Sequence, residues 1–329
     1  MNPNPRSGVC RLDDHQPGEG LPADVAEGLA ARPKRLPSKY FYDARGSALF
    51  EQICAQPEYY LTRAELAAMH AHVGAIAAAL GPRVRLVEYG SGSGIKTKLL
   101  LRHLQSPVAY VPVEISRSAL AESVTALGRE FTDIEMLPVC ADFTEPITLP
   151  RASRAPRQTV VYFPGSTLGN FEPDAAVRLL REMRDEAGQG GGELGGGVLL
   201  GVDLVKDARA LEAAYNDAAG VTAEFTLNLL VRANRELGAD FNLAGFRHRA
   251  RWHALAGRIV THLVSTRAQD VHVGGQTFHF AEGEAMLVEY SCKYTLDGFA
   301  RLAARAGLHV AQVWHDAARQ FSIQWLRCG

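Results

Sequence analysis

A glycine-rich segment, Glu88 to Gly94, has the residue types and the spacing of a nucleotide-binding loop. It reads E-x-G-x-G-x-G, directly after an apolar stretch at 84–89 and directly before an expected helix at 96–104. Glycine lets the backbone turn sharply and approach a ligand closely. A dinucleotide loop of the G-x-G-x-x-G type needs glycine at position 95, where this chain has Ile95. The spacing therefore favours S-adenosylmethionine, which has no phosphate to place at the helix N-terminus.

Two acidic residues follow the next two expected strands. Glu114 ends the second strand, 20 residues after Gly94, where a carboxylate can accept both ribose hydroxyls. Asp142 and Phe143 follow the third strand and suit the exocyclic amine and the face of adenine. Each feature alone has a structural explanation as a turn, a surface acid, a helix cap or a core aromatic, but their succession along one sheet favours a donor site. The predicted donor-binding residues are Glu88, Gly90, Gly92, Gly94, Lys96, Glu114, Asp142 and Phe143.

Charge and cysteine content restrict the class of protein. The chain has 35 Lys and Arg against 36 Asp and Glu, so no net charge favours binding to nucleic acid or to an anionic membrane. The five cysteines include no C-x-x-C pair, which favours free thiols in a reducing cytoplasm. The 11 histidines form no H-x-x-x-H or H-E-x-x-H pattern, so we expect no metal. We expect a cytoplasmic monomer with no apolar run long enough to span a bilayer.

Alternating strands and helices predict the scaffold that positions these residues. Thr62 is the expected N-cap of a helix at 63–80, with Glu65 completing a capping box. Strands follow at 84–89, 109–115, 134–140, 158–163 and 197–204, mostly separated by helices, which predicts a doubly wound parallel sheet. The stretch 188–197 is expected to be a solvated glycine-rich loop.

The alternation stops between 206 and 293. Helical patterns come first in this segment, and strand-like pieces follow at 258–265 and 285–290. A helix at 295–306 and strands at 309–315 and 321–328 would then complete the sheet. We infer that the segment is inserted into the sheet domain, and we expect residues 1–23 to form a poorly ordered tail.

Several motifs outside the donor loop are more specific than the loop itself. Residues 37–43 read PSKYFYD, 57–63 PEYYLTR, 163–171 FPGSTLGNF and 289–294 EYSCKY. The combination resembles the histidine-specific methyltransferases of ergothioneine biosynthesis, from about residue 36 to the C-terminus. The resemblance implies a Rossmann-type class I methyltransferase sheet with an inserted α+β substrate-binding domain. Residues 24–62 and 206–293 would form the inserted domain, and residues 63–205 and 294–329 the donor-binding domain.

The resemblance also implies an activity and a pocket. Members use S-adenosylmethionine without a metal and trimethylate the α-amino group of histidine to hercynine. Tyr42 matches a tyrosine near the reacting amine, and Gly165 a backbone position beside the amine and the donor. The residues matching the groups that hold the amino acid's carboxylate and amine are Tyr59, Asn170 and Tyr215, and those matching the pair that reads the imidazole are Glu289 and Ser291.

Some of these assignments have alternatives. On spacing alone, Tyr42 and Tyr59 could be core aromatics and Asn170 a turn residue, whereas Glu289 in an apolar strand needs a partner. Thr261 stands where a methionine would line the imidazole pocket, which leaves the histidine specificity and the extent of methylation open. The substrate could then be a modified histidine or another amino acid. A catalytically silent nucleotide-binding protein is the rival from another class, and the intact donor loop argues against it.

Overall fold

A mostly parallel eight-stranded sheet forms the centre of the molecule, and a smaller three-stranded sheet and a hairpin lie beside it. The computed structural model describes residues 20–92, 94–189 and 195–328. The strands are β1 Val84–Tyr89, β2 Ala109–Glu114, β3 Glu135–Met136, β4 Val139–Cys140, β5 Gln158–Phe163, β6 Gly197–Asp203, β7 Phe246–His253, β8 Arg258–Ser265, β9 Gln269–Val273, β10 Gln276–Phe280, β11 Ala285–Cys292, β12 Leu308–His315 and β13 Phe321–Cys328. The α-helices are α1 Leu21–Ala30, α2 Ala44–Ala55, α3 Tyr60–Leu80, α4 Ile95–His103, α5 Arg117–Glu130, α6 Pro173–Gln189, α7 Ala208–Ala214, α8 Val221–Leu237 and α9 Leu296–Arg305.

The central sheet has the order β12-β13-β6-β5-β1-β2-β3, with β4 also paired to β2. The pairs from β6 to β3 are parallel, and β13 is antiparallel to both β6 and β12. Chain order reverses between β1 and β5, so the connections on the two sides leave in opposite directions. Ligands of such sheets bind in the crevice beyond the carboxyl ends of the strands at this point. The predicted α/β class is confirmed.

Helices on both faces explain why the inner strands are apolar throughout. Every residue of β1, β5 and β6 is buried, as expected for parallel strands covered on two sides. One face packs against α3 and α4 through residues such as Met69 and Leu100. The opposite face packs against α6 and α9, where Leu180 and Phe299 are fully buried.

The smaller layer joins the N-terminal helices to the segment between β6 and α9. Its sheet has the order β11-β8-β7. One hydrophobic core contains Phe41 and Leu49 from the N-terminal part together with Phe225, Leu230 and Ile259. The two distant stretches of sequence therefore bury their apolar side chains against each other, beside the crevice of the central sheet.

Some predicted boundaries are wrong. Helix α3 begins at Tyr60, so Thr62 is not its N-cap and instead donates to Cys54 Sγ at 3.2 Å. Glu65 does not complete a capping box. The strand expected at 134–140 is divided into β3 and β4, because Pro138 between them has no N–H to donate to the ladder.

Two further predictions concern the ends of the described ranges. Residues 21–23 belong to α1, so the expected tail was too long, and its residues 1–19 lie outside the described residues. Most of the expected glycine loop, 190–194, also lies outside them. No helix in the described part of the chain is long and apolar enough to cross a membrane.

Candidate active site

A cavity of about 1160 Å³ opens at the carboxyl ends of β1, β2 and β5. The smaller layer closes its other side with residues from the N-terminal segment and from β11. The predicted donor-binding residues that line it are Glu88, Gly90, Gly92, Gly94, Lys96, Glu114, Asp142 and Phe143.

The backbone of the donor loop has a conformation that requires glycine. Gly90, Gly92 and Gly94 have φ of 73°, 45° and 69°, in the left-handed region that other residues rarely adopt. Gly94 is the N-cap of α4, so the loop runs directly into that helix. The sequence motif therefore marks a sharply turned backbone at the floor of the cavity.

Glu114 lies at the end of β2 and faces this loop. Its carboxylate accepts the backbone N–H of Gly92 at 3.3 Å and that of Ser116 at 3.1 Å. Burial raises the pKa of Glu114, while these backbone N–H groups oppose the rise. A carboxylate held this way can accept two further hydroxyl hydrogens, as a ribose requires. The hydroxyls of Ser91 and Ser123, also lining the cavity, have no partner within the described residues. These residues fit S-adenosylmethionine.

Glu88 has its partners inside the protein. Its carboxylate accepts the Thr97 hydroxyl at 2.7 Å and the Tyr110 hydroxyl. Burial raises its pKa to about 7 against these hydrogen bonds. In this arrangement Glu88 ties β1 to α4 beneath the loop, and a direct contact with the donor stays a prediction.

The predicted residues at the adenine end are also connected across the cavity. Asp142 accepts from Thr144 N at 2.9 Å and forms an ion pair with Lys39 of the N-terminal segment at 3.2 Å. Burial opposes ionisation, but Thr144 and Lys39 lower the pKa of Asp142 below its ordinary value. Phe143 stacks on Tyr89 at a centroid distance of 5.5 Å. Lys39, which the sequence reasoning did not select, thus joins the two layers at the cavity mouth.

Lys96 and Gly165 meet through Glu65, which the sequence suggested only as a capping residue. Glu65 pairs with Lys96 Nζ at 2.6 Å and accepts the Gly165 N–H at 2.9 Å. A side chain on Gly165 would lie 3.6 Å from the same Nζ. The buried carboxylate therefore fixes the backbone after β5 relative to α4.

A second cavity of about 70 Å³ lies next to the first and shares its walls. The predicted acceptor residues lining both cavities are Tyr42, Tyr59, Gly165, Asn170 and Glu289. Tyr215 and Ser291 line the small cavity. Residues predicted from five distant segments thus meet where a donor and a small acceptor could adjoin.

Aromatic rings form much of the small cavity's wall. The Tyr42 ring is 5.8 Å from Phe50 and 5.6 Å from Phe225, both in edge contact. Tyr59 contacts Phe50 at 6.3 Å and Tyr215 at 6.2 Å. Burial raises the pKa of Tyr42 and of Tyr59 above the ordinary range, so both phenols are neutral.

Glu289 and Ser291 extend from the same side of β11 and line this cavity. Within the described residues no donor hydrogen-bonds the Glu289 carboxylate, and burial raises its pKa to about 7 although Lys293 lowers it. Thr261 is the cross-strand partner of Glu289 on β8 and is 1% exposed. It is absent from the walls of both cavities, so its predicted contact with substrate stays untested.

A buried polar cluster behind the small cavity was missed by the sequence reasoning. Asp203, at the end of β6, pairs with Lys293 at 2.7 Å and also contacts Lys206. Lys293 in turn donates to Tyr215 and Ser291, each at 2.8 Å. The available signal was a pair of charged residues, Asp203 and Lys293, at the ends of apolar strands, where each needs a partner.

Comparison with known proteins agrees with this geometry. The sequence model of the family described as histidine-specific, SAM-dependent methyltransferases matches residues 21–328. The chain belongs to this family. As a member of the histidine-specific methyltransferases it is an S-adenosylmethionine-dependent enzyme. Among the described residues no group of three or more His, Cys, Asp or Glu could hold a metal.

Individual relatives of this methyltransferase align over most of its length. It is 42% identical over 309 residues to the histidine N-alpha-methyltransferase of Mycobacterium tuberculosis, covering 92% of this chain and 93% of that one. The corresponding enzyme of Mycolicibacterium smegmatis is 41% identical, with 93% and 94% covered. Ergothioneine biosynthesis protein 1 of Neurospora crassa is 28% identical over 86% of this chain and 32% of its own length.

Proposed function

We propose that this methyltransferase transfers three methyl groups to the α-amino nitrogen of L-histidine and yields hercynine, a step of ergothioneine biosynthesis. The observation that carries the proposal is the Glu289 carboxylate, which no group in the described residues hydrogen-bonds, beside Ser291 in the wall of an aromatic cavity that adjoins the donor cleft. A half-buried carboxylate that no group of the protein hydrogen-bonds is free to accept a donor from a ligand. An imidazole N–H supplies that donor.

The other wall residues suit the amino acid's backbone groups. S-adenosylmethionine supplies an electrophilic methyl group on a sulfonium. Tyr42, Tyr59 and Asn170 can orient the carboxylate and the amine without placing a negative charge beside that sulfonium. An α-amine is mostly protonated near neutral pH, so it must lose a proton before each attack. Most of the acceleration is then expected from alignment, with the nitrogen held about 3–3.5 Å from the methyl carbon.

The aromatic wall supports repeated transfer. Each transfer forms a C–N bond, breaks the S–C bond and releases a proton until the nitrogen is quaternary. A quaternary ammonium has no N–H to donate, and aromatic faces attract such cations. The rings of Tyr42, Tyr59 and Phe50 can therefore retain partly and fully methylated amines in the same cavity.

The test is incubation with S-adenosylmethionine and a panel of amino acids, read by mass. Histidine should gain three methyl groups, and phenylalanine, which has the size but no ring N–H, should gain none. Methylation of a different amino acid, or one or two methyl groups as the end point on histidine, would contradict the proposal. A catalytically silent protein would bind the donor and methylate nothing.

The second candidate is methylation of a modified histidine or another amino acid. The residue that motivates it is Thr261, the cross-strand partner of Glu289, which stands where the resemblance would place a methionine. Including ring-modified histidines in the same panel separates the two candidates.

We further propose that the enzyme acts in the cytoplasm as a monomer, without a metal, nucleic acid or membrane partner. Size-exclusion chromatography with light scattering checks the monomer.

A further inference from the structure

The ammonium group of Lys293 lies directly behind the two hydroxyls of the small cavity. Its Nζ is 2.8 Å from Tyr215 Oη, 2.8 Å from Ser291 Oγ and 2.7 Å from Asp203 Oδ2. An ammonium has three N–H groups and no acceptor, so these three oxygens use all of its hydrogens. Lys293 therefore occupies one lone pair on each hydroxyl.

Lys293 and Tyr215 both carry a proton in this cluster. Burial alone would lower the pKa of Lys293, but Asp203 and Tyr215 raise it above its ordinary value, so the amine is charged. Burial raises the pKa of Tyr215 although Lys293 opposes the rise, so the phenol keeps its proton. Both hydroxyl hydrogens are therefore present and point away from Lys293.

The two hydroxyls are also bonded to each other. Tyr215 Oη and Ser291 Oγ lie 2.7 Å apart. The phenol is the more acidic hydroxyl, so it is the donor of this pair. Ser291 Oγ then accepts from both Lys293 and Tyr215, which uses its two lone pairs. Its own O–H is left to donate into the cavity.

We propose that Lys293 is a positioning residue that makes Ser291 a hydrogen-bond donor, so that the pocket selects one neutral tautomer of imidazole. The ring nitrogen that carries hydrogen faces Glu289, and the bare nitrogen faces Ser291. This inference rests on the proposed methylation of histidine. It extends that proposal because it assigns a donor and an acceptor to two residues on one side of β11. A ring that lacks the bare nitrogen leaves the buried Ser291 O–H without a partner.

Calorimetric binding in the presence of S-adenosylhomocysteine measures this selection. The probes are histidine, the two isomers of pyrrolylalanine, which keep a ring N–H but lack a bare nitrogen, and thiazolylalanine, which lacks the N–H. For the wild type, the better pyrrolylalanine isomer should bind at least about tenfold more weakly than histidine, as expected when a buried donor is left unsatisfied.

The variant Lys293→Met removes the ammonium but keeps the length of the side chain. Ser291 can then turn its hydrogen to Tyr215. The gap, which is the ratio of the dissociation constants of pyrrolylalanine and histidine, should then fall below about threefold. Lys206→Met is the matched control, because Lys206 also contacts Asp203 but neither hydroxyl. It should keep the wild-type gap. The gap for thiazolylalanine, which reports on Glu289, should be alike in all three proteins.

Equal pyrrolylalanine gaps in the two lysine variants would overturn the positioning role. If Lys293→Met does not fold, the wild type still decides. Binding of pyrrolylalanine as tight as that of histidine overturns the inference. A tenfold ratio of the two dissociation constants that disappears in Ser291→Ala supports it. A wild type that methylates histidine but shows no gap contradicts only the tautomer selection. A wild type that neither binds nor methylates histidine contradicts the proposed function itself.

Discussion

Glu88 and Glu289 share a pKa raised to about 7 by burial, yet their surroundings differ. The hydroxyls of Thr97 and Tyr110 occupy the Glu88 carboxylate. The Glu289 carboxylate faces the small cavity without a donor among the described residues. A raised pKa alone therefore does not identify a binding residue, and the unfilled acceptor is what supports the proposed role of Glu289.

Glu289→Gln tests this difference through stability. In the folded state burial raises the pKa of this carboxyl to about 7, against an ordinary value of 4.5. The folded protein therefore binds this proton more tightly than the unfolded chain does. The stability that the bound proton contributes is fully present below about pH 4.5 and is lost as the pH rises through about 7. Glutamine mimics the protonated form. The variant should be more stable than wild type by about 3 kcal/mol at about pH 8, and nearly equal to it at about pH 4.5.

Denaturant unfolding at the two pH values measures the effect. The matched control is Glu284→Gln. Burial alone would raise the pKa of the Glu284 carboxyl, but the hydrogen bond and charge of Lys34 lower it below its ordinary value. This control should be destabilised at about pH 8. A Glu289→Gln variant that is destabilised there as well would show that the wild-type carboxylate has a stabilising partner.

At the scale of elements, the start of α3 shows what a local pattern can and cannot predict. Thr62 and Glu65 have capping-box spacing, but the helix begins two residues earlier, at Tyr60. Glu65 therefore points to partners 31 and 100 residues away, Lys96 and Gly165. Hydrophobic periodicity predicted the strands of the central sheet, because burial dictates it locally. Tertiary partners at such separations leave no comparable local signal.

Glu65→Ala should destabilise the protein by roughly 2 kcal/mol, because it leaves the Gly165 N–H and the Lys96 ammonium without their buried acceptor. Methyl transfer should slow as well, since Gly165 is expected beside the amine. Glu130→Ala is the control. It removes the exposed partner of Lys98 and Arg102 on α4 and should leave the stability nearly unchanged. Equal losses in the two variants, read by denaturant unfolding, would contradict a special role for Glu65.

At the scale of the whole molecule, the site depends on contacts between segments far apart in sequence. The motif at 37–43, the strand β11 and the loops after β1 and β5 all contribute walls. The resemblance located these residues from motifs, whereas the hairpin β9–β10 was not predicted. Its strands are short, and only their pairing with each other defines them. Lys39 and Lys293 were quoted within motifs without a role, because their partners lie on other elements.

Lys39→Met tests the connection between the two layers. Lys39 pairs with Asp24 and, across the cleft, with Asp142. Without it, amides of the N-terminal segment such as Leu36 and Tyr40 should exchange with solvent about fivefold faster, the amount that corresponds to roughly 1 kcal/mol of local stability. Hydrogen exchange read by mass spectrometry measures this.

The control for Lys39 is Arg45→Met, because Arg45 pairs with the exposed Glu224 and does not reach across the cleft. Its exchange at Leu36 and Tyr40 should match the wild type. If Lys39→Met also matches the wild type, the ion pair to Asp142 does not hold the segment in place.

The place of β13 has a consequence for how the protein is made. This strand, Phe321–Cys328, lies between β12 and β6 and pairs with both. On the ribosome, β6 emerges more than a hundred residues before the strand that must cover its open edge. An apolar strand with a free edge invites wrong pairing. The polypeptide must therefore carry an incomplete central sheet from the synthesis of β6 until β13 has been made.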